Sequence, residues 1–139
     1  MGVVDDLVGY HMRRAYAVFA SDFARALAGT GMRKVLFGVL SIINANPGIN
    51  QGNVGRALGI QRANMVSLLN ELVDRGFVQR EIAAGDRRAF SLMMTKTGKE
   101  MMDKCLELIR DHEARLTSDL SRNERTALIA LLRRIEAKG

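Results

Sequence analysis

The 139-residue chain has a single cysteine, a single proline and no tryptophan, and aromatic residues make up only 5% of it. One cysteine excludes an internal disulfide framework and suits a reducing compartment. With so little proline and aromatic content, and with alanine, leucine and methionine abundant, the composition favours a mostly helical protein over an all-β one. No uninterrupted apolar run approaches the ~20 residues of a membrane-spanning helix. The opening MGVVDDLV is acidic where a secretory signal would be basic, so a cytoplasmic protein with no membrane partner is expected.

Catalytic signatures are missing too. The chain has no Gly-rich phosphate loop, no His-Glu metal motif and no nucleophile flanked by glycines. An enzyme is therefore not expected, although a serine meeting a base in space stays open. His11 and His112 have no carboxylate or cysteine at metal-ligand spacing, so neither a metal nor a cofactor is expected. Both histidines read as locally paired, with Glu113 or with backbone.

What is present is a hydrophobic fraction of 47%, enough for the core of one domain, and an excess of base over acid. The 21 lysines and arginines against 15 acids leave a formal charge of +6, which calls for an anionic partner. Nucleic acid comes first, with an anionic membrane or an acidic small molecule behind it.

Along the chain, Leu7, Met12, Tyr16, Phe19, Phe23 and Leu27 recur at helical spacing over residues 3–27, and GTG at 29–31 ends that helix. A second helix over 32–45 is nearly filled by Val35, Leu36, Val39, Leu40, Ile42 and Ile43, and should be the most buried. NANPGIN stops it. Asn50 is placed to cap a short helix over 51–58, which Gly59 closes. The next helix, 61–75, carries Met65, Val66, Leu68, Leu69, Leu72 and Val73 on one arc at about 100° per residue. Its opposite arc holds Ala63, Asn64, Ser67, Asn70, Glu71 and Asp74, with its donors at the N-terminal end. FVQREI and AFSLMM then form a β-hairpin around the basic tip AAGDRR. Thr97 and Glu100 have capping-box spacing for a helix to about Thr117. Ser121 and Glu124 start a last one, with Leu128, Ile129, Leu131, Leu132 and Ile135 as its apolar side.

Helix, short helix, turn, polar-fronted helix and two-stranded ribbon make a mainly α fold with a small β-wing: a winged helix-turn-helix core with long flanking helices. An α-helix fits the major groove, where glutamine and asparagine pair with adenine and arginine with guanine. Gln61, Arg62, Asn64 and Ser67 are the candidates for base contact. Asn50 and Gln51 begin the helix that meets phosphate. Arg87 and Arg88 at the wing tip suit a minor groove or the backbone, with Asp86 holding one guanidinium by a charge-assisted bond. For Asn70, Glu71 and Asp74 a solvated face is the better reading, since carboxylates repel phosphate.

In ALGIQRANMVSLLNELVDRGFVQR and GDRRAFSLMMTKTG, residues 57–80 and 85–98, the chain resembles the MarR-type (multiple antibiotic resistance regulator) transcription factors. The shared features are a helix ending in RG, a DRR-bearing wing and a T-x-T-G that follows it. Members often carry small hydroxyl residues where Asn64 and Val66 stand, and Met93 and Met94 look like packing substitutions.

The resemblance implies a homodimer on a pseudo-palindromic operator in double-stranded DNA, most simply a repressor. Residues 3–28 and 97–138 would be dimerisation helices, and 32–96 the winged lobe. It also implies a small-molecule effector, an aromatic or lipophilic acid or its coenzyme A thioester, bound between the dimer helices and the DNA lobe. His11, Arg14, Tyr16, Phe19, Arg33 and Phe37, with Tyr10, are the candidates for it, against a core role for the aromatics and solvated arginines. Cys105, set among Met101, Met102, Leu108 and Ile109, reads as packing rather than as an oxidant sensor. A winged protein-interaction module and a non-specific DNA-binding protein remain as alternatives.

Overall fold

The computed structural model describes residues 2–82 and 90–139. In chain order the elements are α1 (Val8–Leu27), α2 (Lys34–Ala45), β1 (Ile49–Asn50), α3 (Gln51–Leu58), α4 (Arg62–Asp74), β2 (Val78–Ile82), β3 (Phe90–Met94), α5 (Lys96–Leu116) and α6 (Arg122–Glu136). The fold is mainly helical with a small antiparallel sheet, as the composition requires.

The core is built around α2. Its Leu36, Val39, Leu40 and Ile43 are fully buried, and against them pack Val54 of α3, Met65, Leu69 and Leu72 of α4, and Leu92 of β3. Each such side chain contributes about 1.5–3 kcal/mol by leaving water. The apolar stripe of α4 is narrower than its periodicity suggests, because Val66 is exposed.

Caps follow the sequence at three helix ends. The Asn50 side chain accepts from the Asn53 amide at 2.9 Å, Gly59 closes α3 in the left-handed region at φ 65°, and Ser121 and Glu124 form a reciprocal capping box.

Three local expectations are corrected. α1 begins at Val8 rather than at residue 3. The cap of α5 is Thr95, not Thr97: its Oγ1 accepts from the Gly98 amide at 3.0 Å and donates to the Gly76 carbonyl at 2.5 Å, so a tertiary contact selects between two threonines. The ribbon is also a three-stranded sheet in the order β1-β3-β2, with Ile49 opposite Leu92 and Val78 opposite Met94. Two residues are too few to show any strand periodicity.

Gly98 is the pivot between sheet and α5. A Cβ there would sit 2.2 Å from the Phe77 carbonyl oxygen and 2.9 Å from Met94 Cγ, so a residue without a side chain lets α5 approach the end of the α4 lobe. That contact gives T-x-T-G its structural meaning.

α1 and α5 pack together around a buried polar cluster. His112 Nδ1 lies 2.6 Å from Asp22 Oδ2, Arg115 Nη2 donates to the same oxygen at 2.9 Å, and the rings of Phe19 and Phe23 stand edge-on to His112. The expected pairing of His112 with Glu113 is therefore replaced by one across 90 residues of chain. In contrast, every residue of α6 is half-buried or exposed, and the N-terminal half of α1 leaves Val8, Met12 and Tyr16 open to solvent, as is Leu7 just before it.

Candidate nucleic-acid interface

α3 and α4 cross closely because Gly55 lies between them. A Cβ at Gly55 would meet the Ile60 carbonyl at 3.0 Å and Met65 Cγ at 3.1 Å. With its underside fixed by Met65, Leu69 and Leu72, α4 turns Gln61, Arg62, Asn64 and Ser67 outward, all four exposed. Gln61 stands at the N-cap with extended backbone and makes no side-chain cap bond, leaving its amide available. The free amides of a helix N-terminus and its dipole favour an anion here.

Asn50 and Gln51 border the same face. Together with Arg56, Arg62, Val66 and Phe90 they line a groove of about 780 Å³ between the start of α3, the start of α4 and the root of the wing. The Asn50 side chain is engaged in its cap, whereas Gln51 is half-buried at the rim. Asp86, Arg87 and Arg88 lie outside the described residues.

Two cations here were not singled out in the sequence. Arg56 of α3 donates to Asn53, and Arg80 of β2 donates to Asn70 of α4 at 2.6 Å. Helical spacing flags Arg56, whose partner is three residues away, but only the packing of β2 beside α4 brings Arg80 to Asn70.

At its other end α4 is tied to the α1–α2 connection. Arg33 and Glu71 form a bidentate pair, both bonds 2.9 Å, so Glu71 is a tether rather than the plain solvated carboxylate expected. Hydrogen bonding from Arg33 holds the Glu71 carboxyl below its ordinary range and raises the Arg33 guanidinium in turn. Arg75 donates to the carbonyls of Gly31 at 2.7 Å and Thr30 at 3.1 Å while covering the Phe77 ring.

The six effector candidates fall into separate groups within one protomer. His11 Nε2 lies 2.7 Å from the Asp5 carbonyl, and Arg14 stands over Tyr10 at 5.6 Å. The Tyr16 hydroxyl accepts from Lys34 at 2.6 Å. Phe19 meets His112, Arg33 is held by Glu71, and Phe37 packs against the core one turn beyond Arg33. Cys105 is fully buried, and burial pushes its thiol up, which opposes the thiolate that oxidants attack. Among the described residues, no cluster of three or more histidine, cysteine or acidic side chains could hold a metal, and no helix is long and apolar enough to cross a membrane.

Comparison with known proteins agrees with this architecture. The sequence profile of the MarR family matches residues 31–89. A protein of Thauera aromatica described as a transcriptional regulatory protein for its hcr operon is 31% identical over 129 residues, covering 92% of this chain and 78% of the relative. Among solved structures, the transcriptional repressor CouR bound to a 23-mer DNA duplex superposes with a TM-score of 0.90 at 36% identity, over 98% of this chain and 96% of that one. CouR bound to p-coumaroyl-CoA superposes at 0.82 with 35% identity, over the same shares of the two chains. With the winged-helix core, the flanking helices and these relatives in agreement, the chain belongs to the MarR family of winged helix-turn-helix transcriptional regulators.

Proposed function

We propose that this protein is a sequence-specific DNA-binding repressor that acts as a homodimer on a pseudo-palindromic operator and responds to a small aromatic or lipophilic acid or its coenzyme A thioester. The observation that carries the reading is the outward face of α4, with Gln61, Arg62, Asn64 and Ser67 exposed beside the amide-rich start of α3. Those are the donor types that read base edges, set on a helix that enters a major groove by its first turns. The DNA-bound state of CouR supports the same use of the fold.

In this reading Arg62 pairs with guanine, Gln61 and Asn64 with adenine, and Ser67 with either. Asn50 and Gln51 meet phosphate, and Arg87 and Arg88, with Asp86, anchor the wing. The exposed apolar side chains of α1 and α6 support a dimer, since each needs a second surface to cover it.

The p-coumaroyl-CoA complex of CouR supports an effector of that chemistry. His11, Arg14, Tyr16, Phe19, Arg33 and Phe37 are its candidate contacts. Through its bond to Glu71, Arg33 joins an anion-binding group directly to the recognition helix. An anionic effector that engages Arg33 competes with Glu71 and loosens α4.

Selection of duplexes from a random pool by the purified protein at near-physiological salt tests the reading. Enrichment of an inverted repeat with half-sites about one helical turn apart is the expected result. Retention that lacks enrichment and falls steeply with salt would instead mark a non-specific DNA binder, and salt-insensitive behaviour without DNA retention a protein-interaction module.

A further inference from the structure

Val66 departs from the pattern of its helix. It is 41% exposed, while its stripe neighbours Met65 and Leu69 are 1% and 0% exposed. The cause is angular: at ~100° per residue Val66 stands about 90° round from the centre of the arc formed by Met65, Leu69 and Leu72. One turn after Arg62, it shares that residue's edge of α4 and lines the groove between α3, α4 and the wing root.

The apolar part of this groove comprises Val66, Phe90, Ile60 and Met65, with Phe90 itself 45% exposed. Around it stand Arg56, Arg62, Gln51 and Gln61, and the described lining holds no carboxylate. An occupant must therefore combine negative charge, hydrogen-bonding edges and a small apolar group that reaches a β-branched side chain. A duplex that presents a thymine in its major groove has this combination: the phosphates carry the charge, the thymine O4 accepts hydrogen bonds and its C5-methyl is apolar.

We propose that Val66 reads the methyl group of a thymine in each operator half-site. The proposal rests on the DNA-binding reading and assigns a base preference within it. Val66 lies about 6 Å along the helix from Arg62, so the thymine falls within about two base pairs of the base that Arg62 meets.

The test begins with the operator recovered by selection. In one half-site, each thymine is replaced singly by uracil, which keeps every hydrogen-bonding group and removes the methyl alone. At one position the intact protein is expected to bind about four-fold more weakly, the value of one buried methyl group. Val66→Ser, at an exposed site where folding is undisturbed, is expected to bind the thymine and uracil duplexes equally at that position. Equal binding of all uracil duplexes by the intact protein overturns the proposal, as does an unchanged thymine preference in Val66→Ser. If no operator is enriched at all, the DNA-binding reading fails first and the proposal falls with it, an outcome distinct from an operator without methyl sensitivity.

Discussion

At the scale of single residues, the groups that fix this fold are mostly those where a neighbour leaves no alternative. Gly98 is one. Because a Cβ would press to 2.2 Å against the Phe77 carbonyl, Gly98→Ala must shift backbone, and a loss of about 3 kcal/mol in urea unfolding is expected. Asp22 is another. It is buried between His112, Arg115 and Arg25, and the His112 hydrogen bond, with help from Arg115, holds its carboxyl below the ordinary range. A depressed folded-state pKa contributes stability that is complete above the unfolded value near ~4 and is lost as pH falls through the folded one. The melting temperature should therefore drop below about pH 4, and Asp22→Asn should flatten the curve in that window while lowering the plateau above it. An unchanged acid limb in Asp22→Asn would show that other carboxylates set it.

At the scale of elements, α4 is held along its underside by core packing and at its C-terminal end by two arginines. These bonds differ in worth. Arg33 and Glu71 are substantially exposed, with side-chain accessibilities of 53% and 36%, so Glu71→Gln should change stability by no more than about 1 kcal/mol. Arg75 is half-buried and donates to two backbone carbonyls of the α1–α2 connection, so Arg75→Ala should cost about 2 kcal/mol in denaturant unfolding. If the two substitutions cost the same, the geometry of the bonds is not what distinguishes them. The neighbouring junction shows how legibility varies along the chain. Ser121 and Glu124 announce α6 because both halves of the box are local, whereas Thr95 prevails over Thr97 through a bond to Gly76, 19 residues away.

At the scale of the whole molecule, one protomer leaves a large apolar surface without cover. Leu128, Ile129, Leu131 and Ile135 of α6 are 44–52% exposed, and Val8 and Met12 of α1, with Leu7 just before it, are open as well. Our dimer reading predicts that the double substitution Leu131→Glu with Ile135→Glu yields monomers by sedimentation. Operator affinity should fall by about 100-fold, because the second half-site is no longer held at high effective concentration. A stable dimer in that variant would move the interface elsewhere.

What the sequence alone determined was local or periodic. The order of helices, the Asn50 and Gly59 caps and the outward polar front of α4 all follow from spacings of a few residues, so each can be read without knowing what lies across the fold. Only the tertiary structure decided that His112 belongs to Asp22, that Glu71 tethers Arg33, that Ile49 and Asn50 add a third strand, and that Val66 faces outward. The reason is physical. Side chains 38 to 90 residues apart meet only when packing brings their elements together, and a residue at the margin of an apolar arc is buried or exposed according to where its neighbour stops.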